Sequence, residues 1–194
     1  MNNNQRHVID QKISSDLFEQ HKDIIQIITV PHKSPLLLQG SIADRLYYVN
    51  DGVLRLWHNH DGKDVTLQFF LPGQIVCSFE SFYLKAVSKF ALETVTNCTL
   101  SYIPRDDIMR MLETETLVQH FMTEYACNRF IEYSNLFLSR IQLSPEERYR
   151  ELLTERPELL ELVPHHYIAS YLGISATSLS RIRKRIAEKE SEKI

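Results

Sequence analysis

Glycine is scarce in this chain of 194 residues, with five in all, at positions 40, 52, 62, 73 and 173. That scarcity excludes a glycine-rich phosphate loop. It also implies a backbone task for each glycine present, because only glycine takes positive φ at little cost. Cysteine is sparse too. Cys77, Cys98 and Cys127 are widely separated and form no CxxC pair, which argues against a disulfide framework and fits reduced thiols in a cytoplasm. No run approaches the about 18 consecutive apolar residues of a membrane span. The opening MNNNQRHVIDQKIS lacks the apolar centre of a signal peptide, so a soluble cytoplasmic protein is expected. No Ser-His-Asp or Cys-His arrangement has supporting spacing, so no catalytic residues and no enzyme are expected. Net positive charge is absent as well: 22 Lys and Arg stand against 25 Asp and Glu, a net −3.

The distribution of that charge is more informative than its sum. Residues 165–194 carry a net +3, which leaves −6 on residues 1–164. The basic segment coincides with LVPHHYIASYLGISATSLSRIRKRI (162–186), whose spacing predicts two short helices around a tight turn. Ile168, Ala169 and Leu172 form an inner face, with small Ala169 at the crossing. Gly173 occupies the turn, Ile174 fills the elbow, and Ser175 is an N-cap. Leu179, Ile182 and Ile186 then repeat at steps of three and four, while Thr177, Arg181 and Lys184 fall on the opposite side. One face suits a core and the other suits phosphates and base edges, as in a helix-turn-helix.

Upstream, residues 8–28 hold Val8, Ile9, Ile13, Leu17, Phe18 and Ile24–Ile28. Their first part reads as a short amphipathic helix or pair of helices, clearest at DLFEQH, and their end runs into a β-like segment that ends at Pro31. From there to Pro104, runs of five to eight β-branched and aromatic residues alternate with turn signals, which predicts a jelly roll. Asp51-Gly52 and Asp61-Gly62 both read as hairpin turns. Arg105–Glu113 predicts a short helix. A long helix without Gly or Pro follows over 117–141, about 36 Å in length. Its apolar residues (Val118, Phe121, Met122, Tyr125, Phe130, Tyr133, Leu136, Phe137) cover more than one stripe, so a twofold partner is expected on the second. Ser144-Pro145-Glu146-Glu147 is a capping box that starts a new helix. SRIQL before it is a candidate hinge.

In this order and spacing, LLLQG (36–40), DRLYYVNDGVLRL (44–56), DGK (61–63), FFLPGQIV (69–76) and IASYLGISATSLSRIRKRI (168–186) resemble the CRP/FNR superfamily of bacterial regulators. That superfamily includes the cyclic AMP receptor protein and the fumarate-nitrate regulator. The resemblance implies an α+β chain in three parts. Residues 1–116 would form a cyclic-nucleotide-binding-like effector domain, a double-stranded β-helix or jelly roll. Residues 117–141 would form a dimerisation helix, and 142–194 a winged-helix or helix-turn-helix DNA-binding domain. The implied partners are a double-stranded DNA operator, a second copy of the chain through 117–141, and RNA polymerase, with no membrane.

In cyclic-AMP-binding members of the superfamily, a Gly-Glu pair holds the ribose. An Arg-Ser or Arg-Thr pair about ten residues later holds the cyclic phosphate. Here Cys77-Ser78 aligns with the first pair and Lys89-Phe90 with the second, giving Cys77, Ser78, Lys89 and Phe90 as the effector pocket. Ser78 lacks the carboxylate, Phe90 lacks the hydroxyl, and Lys89 lacks the bidentate fork of arginine. No arginine lies between Arg55 and Arg105. Cyclic AMP is therefore not expected as effector, no cofactor is implied, and no cysteine precedes Cys77 to hold an iron-sulfur cluster. On the recognition helix, Arg181 is the expected reader of guanine. Thr177 would meet a thymine methyl or a phosphate, while Ser175, Ser178, Ser180, Lys184 and Arg185 would supply backbone contacts. The alternative is a cupin-like metal enzyme. His58-x-His60 after Gly52 imitates the first cupin motif, but PGQIVCSF supplies no second histidine.

Overall fold

A computed structural model of the chain describes residues 17–191. The expected helix positions Val8, Ile9 and Ile13 lie outside those residues. A helical turn over 17–20 buries Leu17 and Phe18, in the DLFEQH segment. Eight strands follow: β1 (Gln26–Val30), β2 (Pro35–Leu37), β3 (Arg45–Asp51), β4 (Leu54–His60), β5 (Lys63–Phe70), β6 (Ile75–Val76), β7 (Ala91–Thr94) and β8 (Cys98–Pro104). They form two antiparallel four-stranded sheets, ordered β1-β8-β3-β6 and β2-β7-β4-β5. Leu46, Val49, Leu54, Leu56, Phe70, Leu92 and Leu100 are buried in one core between the sheets, as inward alternation in a sandwich requires.

The two Asp-Gly turns differ. β4 and β5 form a hairpin with His60 opposite Lys63. Asp61 (φ 51°) and Gly62 (φ 81°) between them are both left-handed, which suits a two-residue turn. Asp51-Gly52 is not a hairpin. β3 pairs with β6 and β8, whereas β4 pairs with β5 and β7, so at Gly52 the chain crosses from one sheet to the other. The shared Asp-Gly pair does not distinguish the two turns; the strand pairing on either side does.

Seven helices complete the described residues: α1 (Phe79–Leu84), α2 (Arg105–Thr114), α3 (Thr116–Gln142), α4 (Pro145–Glu155), α5 (Pro157–Leu162), α6 (His165–Tyr171) and α7 (Ala176–Ser191). The first half of α3 packs on the roll through Val118, Phe121, Met122 and Tyr125. Its second half exposes Phe130, Tyr133, Phe137, Leu138 and Ile141. The expected hinge is mostly helical and narrows to Leu143, where the backbone becomes extended (φ −104°, ψ 140°). Both bonds of the capping box form, Glu147 N–H donating to Ser144 Oγ (3.3 Å) and Ser144 N–H to Glu147 Oε2 (2.8 Å). No strand occurs after Pro104 among the described residues, so the C-terminal part is a helix-turn-helix without the strands of a wing.

That C-terminal part does not stand clear of the roll. Val53, Phe69 and Val95 of the roll share a core with Tyr149, Leu152, Leu159, Tyr167, Ile168, Leu179, Ile182 and Ile186. Strand β5 is an edge strand, and α6 covers its exposed backbone. Ser170 Oγ donates to the Asp64 carbonyl (2.7 Å) and accepts from the Thr66 N–H (2.9 Å). An edge that would otherwise invite foreign strands is thereby satisfied within the chain.

Candidate nucleic-acid interface and effector pocket

The α6–α7 pair is built as its spacing predicts. Leu172 N–H donates to the Ile168 carbonyl and Gly173 N–H to that of Ser170. Gly173 then takes φ 70°, which ends α6 without strain. Ile174 N–H donates back to the Ala169 carbonyl. Ser175 caps α7, its Oγ accepting from Ser178 N–H at 3.1 Å and lying 2.9 Å from Ser178 Oγ. Those two hydroxyls thus hold the helix start. Leu179, Ile182 and Ile186 are buried against Ile168, Ala169 and Leu172.

With that face buried, Thr177, Ser180, Arg181 and Lys184 stand exposed. Among these, Lys184 has Glu188 one turn on, at 3.8 Å. Arg185 sits at the rim of the core face, where Glu146 of α4 binds it at 2.8 Å. Glu146 also meets Arg150 (3.1 Å) and Lys189 (4.0 Å). Its bond from Arg150, with Arg185 and Lys189 adding, holds its carboxyl below the usual range. Arg185 is therefore engaged within the protein rather than aimed outward with Arg181. On the other rim, Arg183 donates to His165 at 2.7 Å. Arg183 was not among the expected contact residues, although it lies on the same basic helix.

The roll's pocket residues separate. Cys77 is buried beside Tyr125 of α3, Sγ to Oη 3.8 Å, and burial pushes its thiol up to about 12, so it is no reactive thiolate. Ser78 is buried, but the residue that meets it is Ser88, Oγ to Oγ 2.8 Å. The expected meeting with Lys89 and Phe90 does not form. Lys89 turns outward to both oxygens of Glu80 (3.0 Å each). Phe90 lies half-buried, edge-on to His58 at 6.3 Å. Ser88 Oγ also lies 2.7 Å from the Phe90 carbonyl and accepts from the Phe90 N–H at 3.1 Å, which anchors the start of β7. Ser88 stands ten residues after Ser78 and one before the expected Lys89-Phe90 pair. Two hydroxyls, those of Ser78 and Ser88, thus face each other inside the roll.

His58 and His60 stack at 6.1 Å, and His58 Nδ1 lies 2.8 Å from the Lys89 carbonyl. Among the described residues no group of three His, Cys, Asp or Glu side chains is placed to hold a metal, so the cupin alternative gains no support.

The comparisons with known proteins converge. Residues 27–115 match the cyclic nucleotide-binding domain. The cyclic AMP receptor protein of Thermus thermophilus is 26% identical over 165 residues, covering 81% of this chain and 75% of that protein. Among solved structures, the c-di-GMP-responsive global regulator CLP of Xanthomonas campestris superposes with a TM-score of 0.73. It is 17% identical, with 91% of this chain and 93% of that one covered. FixK2 of Bradyrhizobium japonicum gives 0.74 at 16% identity, covering 86% of each. At those identities the structural matches speak for the fold, and the fold is shared along nearly the whole chain. Residues 27–115 are thus matched by the cyclic nucleotide-binding domain, and from roll to helix-turn-helix the chain shares the fold of these regulators.

Proposed function

We propose that this chain is a dimeric bacterial transcription regulator that reads double-stranded DNA with α7, and whose roll does not take cyclic AMP in the usual way. One observation carries the reading. The exposed face of α7 presents Thr177, Arg181 and Lys184 directly opposite the buried Leu179, Ile182 and Ile186, on a helix held by the turn at Gly173. A guanidinium on such a face matches the O6 and N7 acceptors of guanine. Ser180 and Lys184 would add phosphate contacts that raise affinity without choosing sequence. Residues 117–141 supply the dimer contact, and the superfamily's usual partner RNA polymerase would be recruited from the bound site. No described helix is long and apolar enough to cross a membrane, in keeping with a protein that works on cytoplasmic DNA.

The test is a duplex enriched by the protein from a random pool. Arg181→Ala is expected to weaken binding to it by about 1–3 kcal/mol and to relax the choice of base at one position per half-site. Unchanged affinity and base preference would remove Arg181 from the interface. For the roll, the Ser78–Ser88 pair supplies no cation for a cyclic phosphate. Titration calorimetry with cyclic AMP at micromolar concentrations is expected to show no binding heat, and saturable binding there would overturn the reading of these serines.

A further inference from the structure

The DNA-reading proposal treats α7 as the working part and leaves open what aims it. Arg55 lies on β4, 2% exposed, with its head on the outer face of the β2-β7-β4-β5 sheet. Asp64 binds it with both oxygens (2.6 and 2.5 Å), Glu93 accepts from Nε at 2.7 Å, and Thr66 Oγ1 lies 3.0 Å from Nη1. Two rings also meet the guanidinium. Its Cζ lies 4.8 Å from the ring centroid of Trp57 and 3.7 Å from that of Tyr167 of α6.

Tyr167 therefore lands on a planar cation already fixed by three neighbouring strands. Around this contact, Ser170 completes the edge of β5, Tyr171 packs on Phe69 with centroids 5.4 Å apart, and Arg156 reaches the Phe69 carbonyl at 3.3 Å. Nothing in this seam uses the reading face of α7. The seam orients the helix-turn-helix and leaves Arg181 open.

We propose that Arg55 is a positioning residue for DNA recognition. Through Tyr167 and the α6–β5 seam it holds the helix-turn-helix at a set orientation on the roll, so that two copies present their α7 helices at one spacing. This rests on the DNA-reading proposal above. The consequence is a split between two kinds of binding. A single half-site needs only α7, and its affinity is independent of the seam. A duplex with two half-sites needs both readers in register, and its extra affinity comes from the effective concentration that a fixed geometry confers. The roll also acquires a direct line to the reader. A shift of the β4–β5 hairpin moves α6 without passing through α3 and Leu143.

The experiment compares the wild-type chain, Arg55→Met, and the double variant Tyr167→Leu with Ser170→Ala. The last leaves every residue of the roll in place, should loss of Arg55 unfold it. Probes are the duplex enriched by the wild-type chain and the same duplex cut to one half-site, with hydrogen exchange read at the Thr66 amide. The expected result is faster Thr66 exchange in the double variant, half-site affinity within about twofold of wild type, and full-site affinity lower by about tenfold or more. An unchanged ratio of full-site to half-site affinity alongside an exposed Thr66 amide overturns the positioning role. Rapid Thr66 exchange in the wild-type chain overturns the seam itself. A wild-type chain that enriches no duplex overturns the DNA-reading proposal, and this one with it.

Discussion

Gly52→Ala is expected to destabilise the roll by about 3–5 kcal/mol, a large fraction of the stability of a domain. A Cβ at this position would stand 2.4 Å from the Asn97 carbonyl oxygen, 2.6 Å from Cys98 Sγ and 2.9 Å from Thr96 Oγ1. The first of these is backbone. It belongs to the segment leading into β8, which is paired on both sides by β1 and β3 and has no room to retreat. The φ of +90° adds its own penalty for an L side chain. Gly62→Ala is the control. Its φ is +81°, but nothing lies within 4 Å of the added methyl, so only the conformational cost remains, about 1 kcal/mol. Urea denaturation of both variants measures the difference. Equal losses would mean that the close approach beneath Gly52 relaxes freely, contrary to the packing described.

The second large effect concerns the exposed half of α3. Phe130 is 74% exposed and Phe137 is 64% exposed, on a helix whose preceding turns are buried in the roll. Aromatic side chains left in water in such a row mark an interaction surface. If two copies pair through this helix as proposed, the double variant Phe130→Glu with Phe137→Glu places charges on both sides of the contact. It is expected to halve the mass seen by light scattering and to lower affinity for a two-half-site duplex by about a hundredfold. Far-ultraviolet circular dichroism should remain that of the wild-type chain, because neither side chain serves the intramolecular core. Retention of the dimer mass would place the second copy elsewhere.

The parts of this molecule legible in its sequence are those governed by neighbours within a few residues. All five glycines take positive φ, as their scarcity and placement implied, because backbone sterics at a turn are local. The Ser144–Glu147 box and the Ser175 cap formed for the same reason. The apolar spacing from Ile168 to Ile186 reappears as one buried face, since a helix's periodicity decides its sidedness before any partner arrives. Arg181 could be placed on the exposed face by the same rule.

What escaped the sequence involves groups distant along the chain. Asp51-Gly52 and Asp61-Gly62 read alike, yet one crosses between sheets and the other closes a hairpin, because strand pairing is chosen by the whole sandwich. Lys89 carries the right charge for an anion pocket, but its side chain follows Glu80 outward and Ser88 meets Ser78 instead. Arg185 belongs to the basic helix by sequence and to Glu146 by contact. The seam is the extreme case, Ser170 and Thr66 being 104 residues apart. By itself the sequence determined the strand-rich texture up to Pro104, the long helix and the sidedness of the helix-turn-helix, since each follows from short-range steric and periodic rules. The tertiary structure decided how the reader sits on the roll. A cation met by the ring of Tyr167 and an edge strand capped by a serine exist only once distant segments have met.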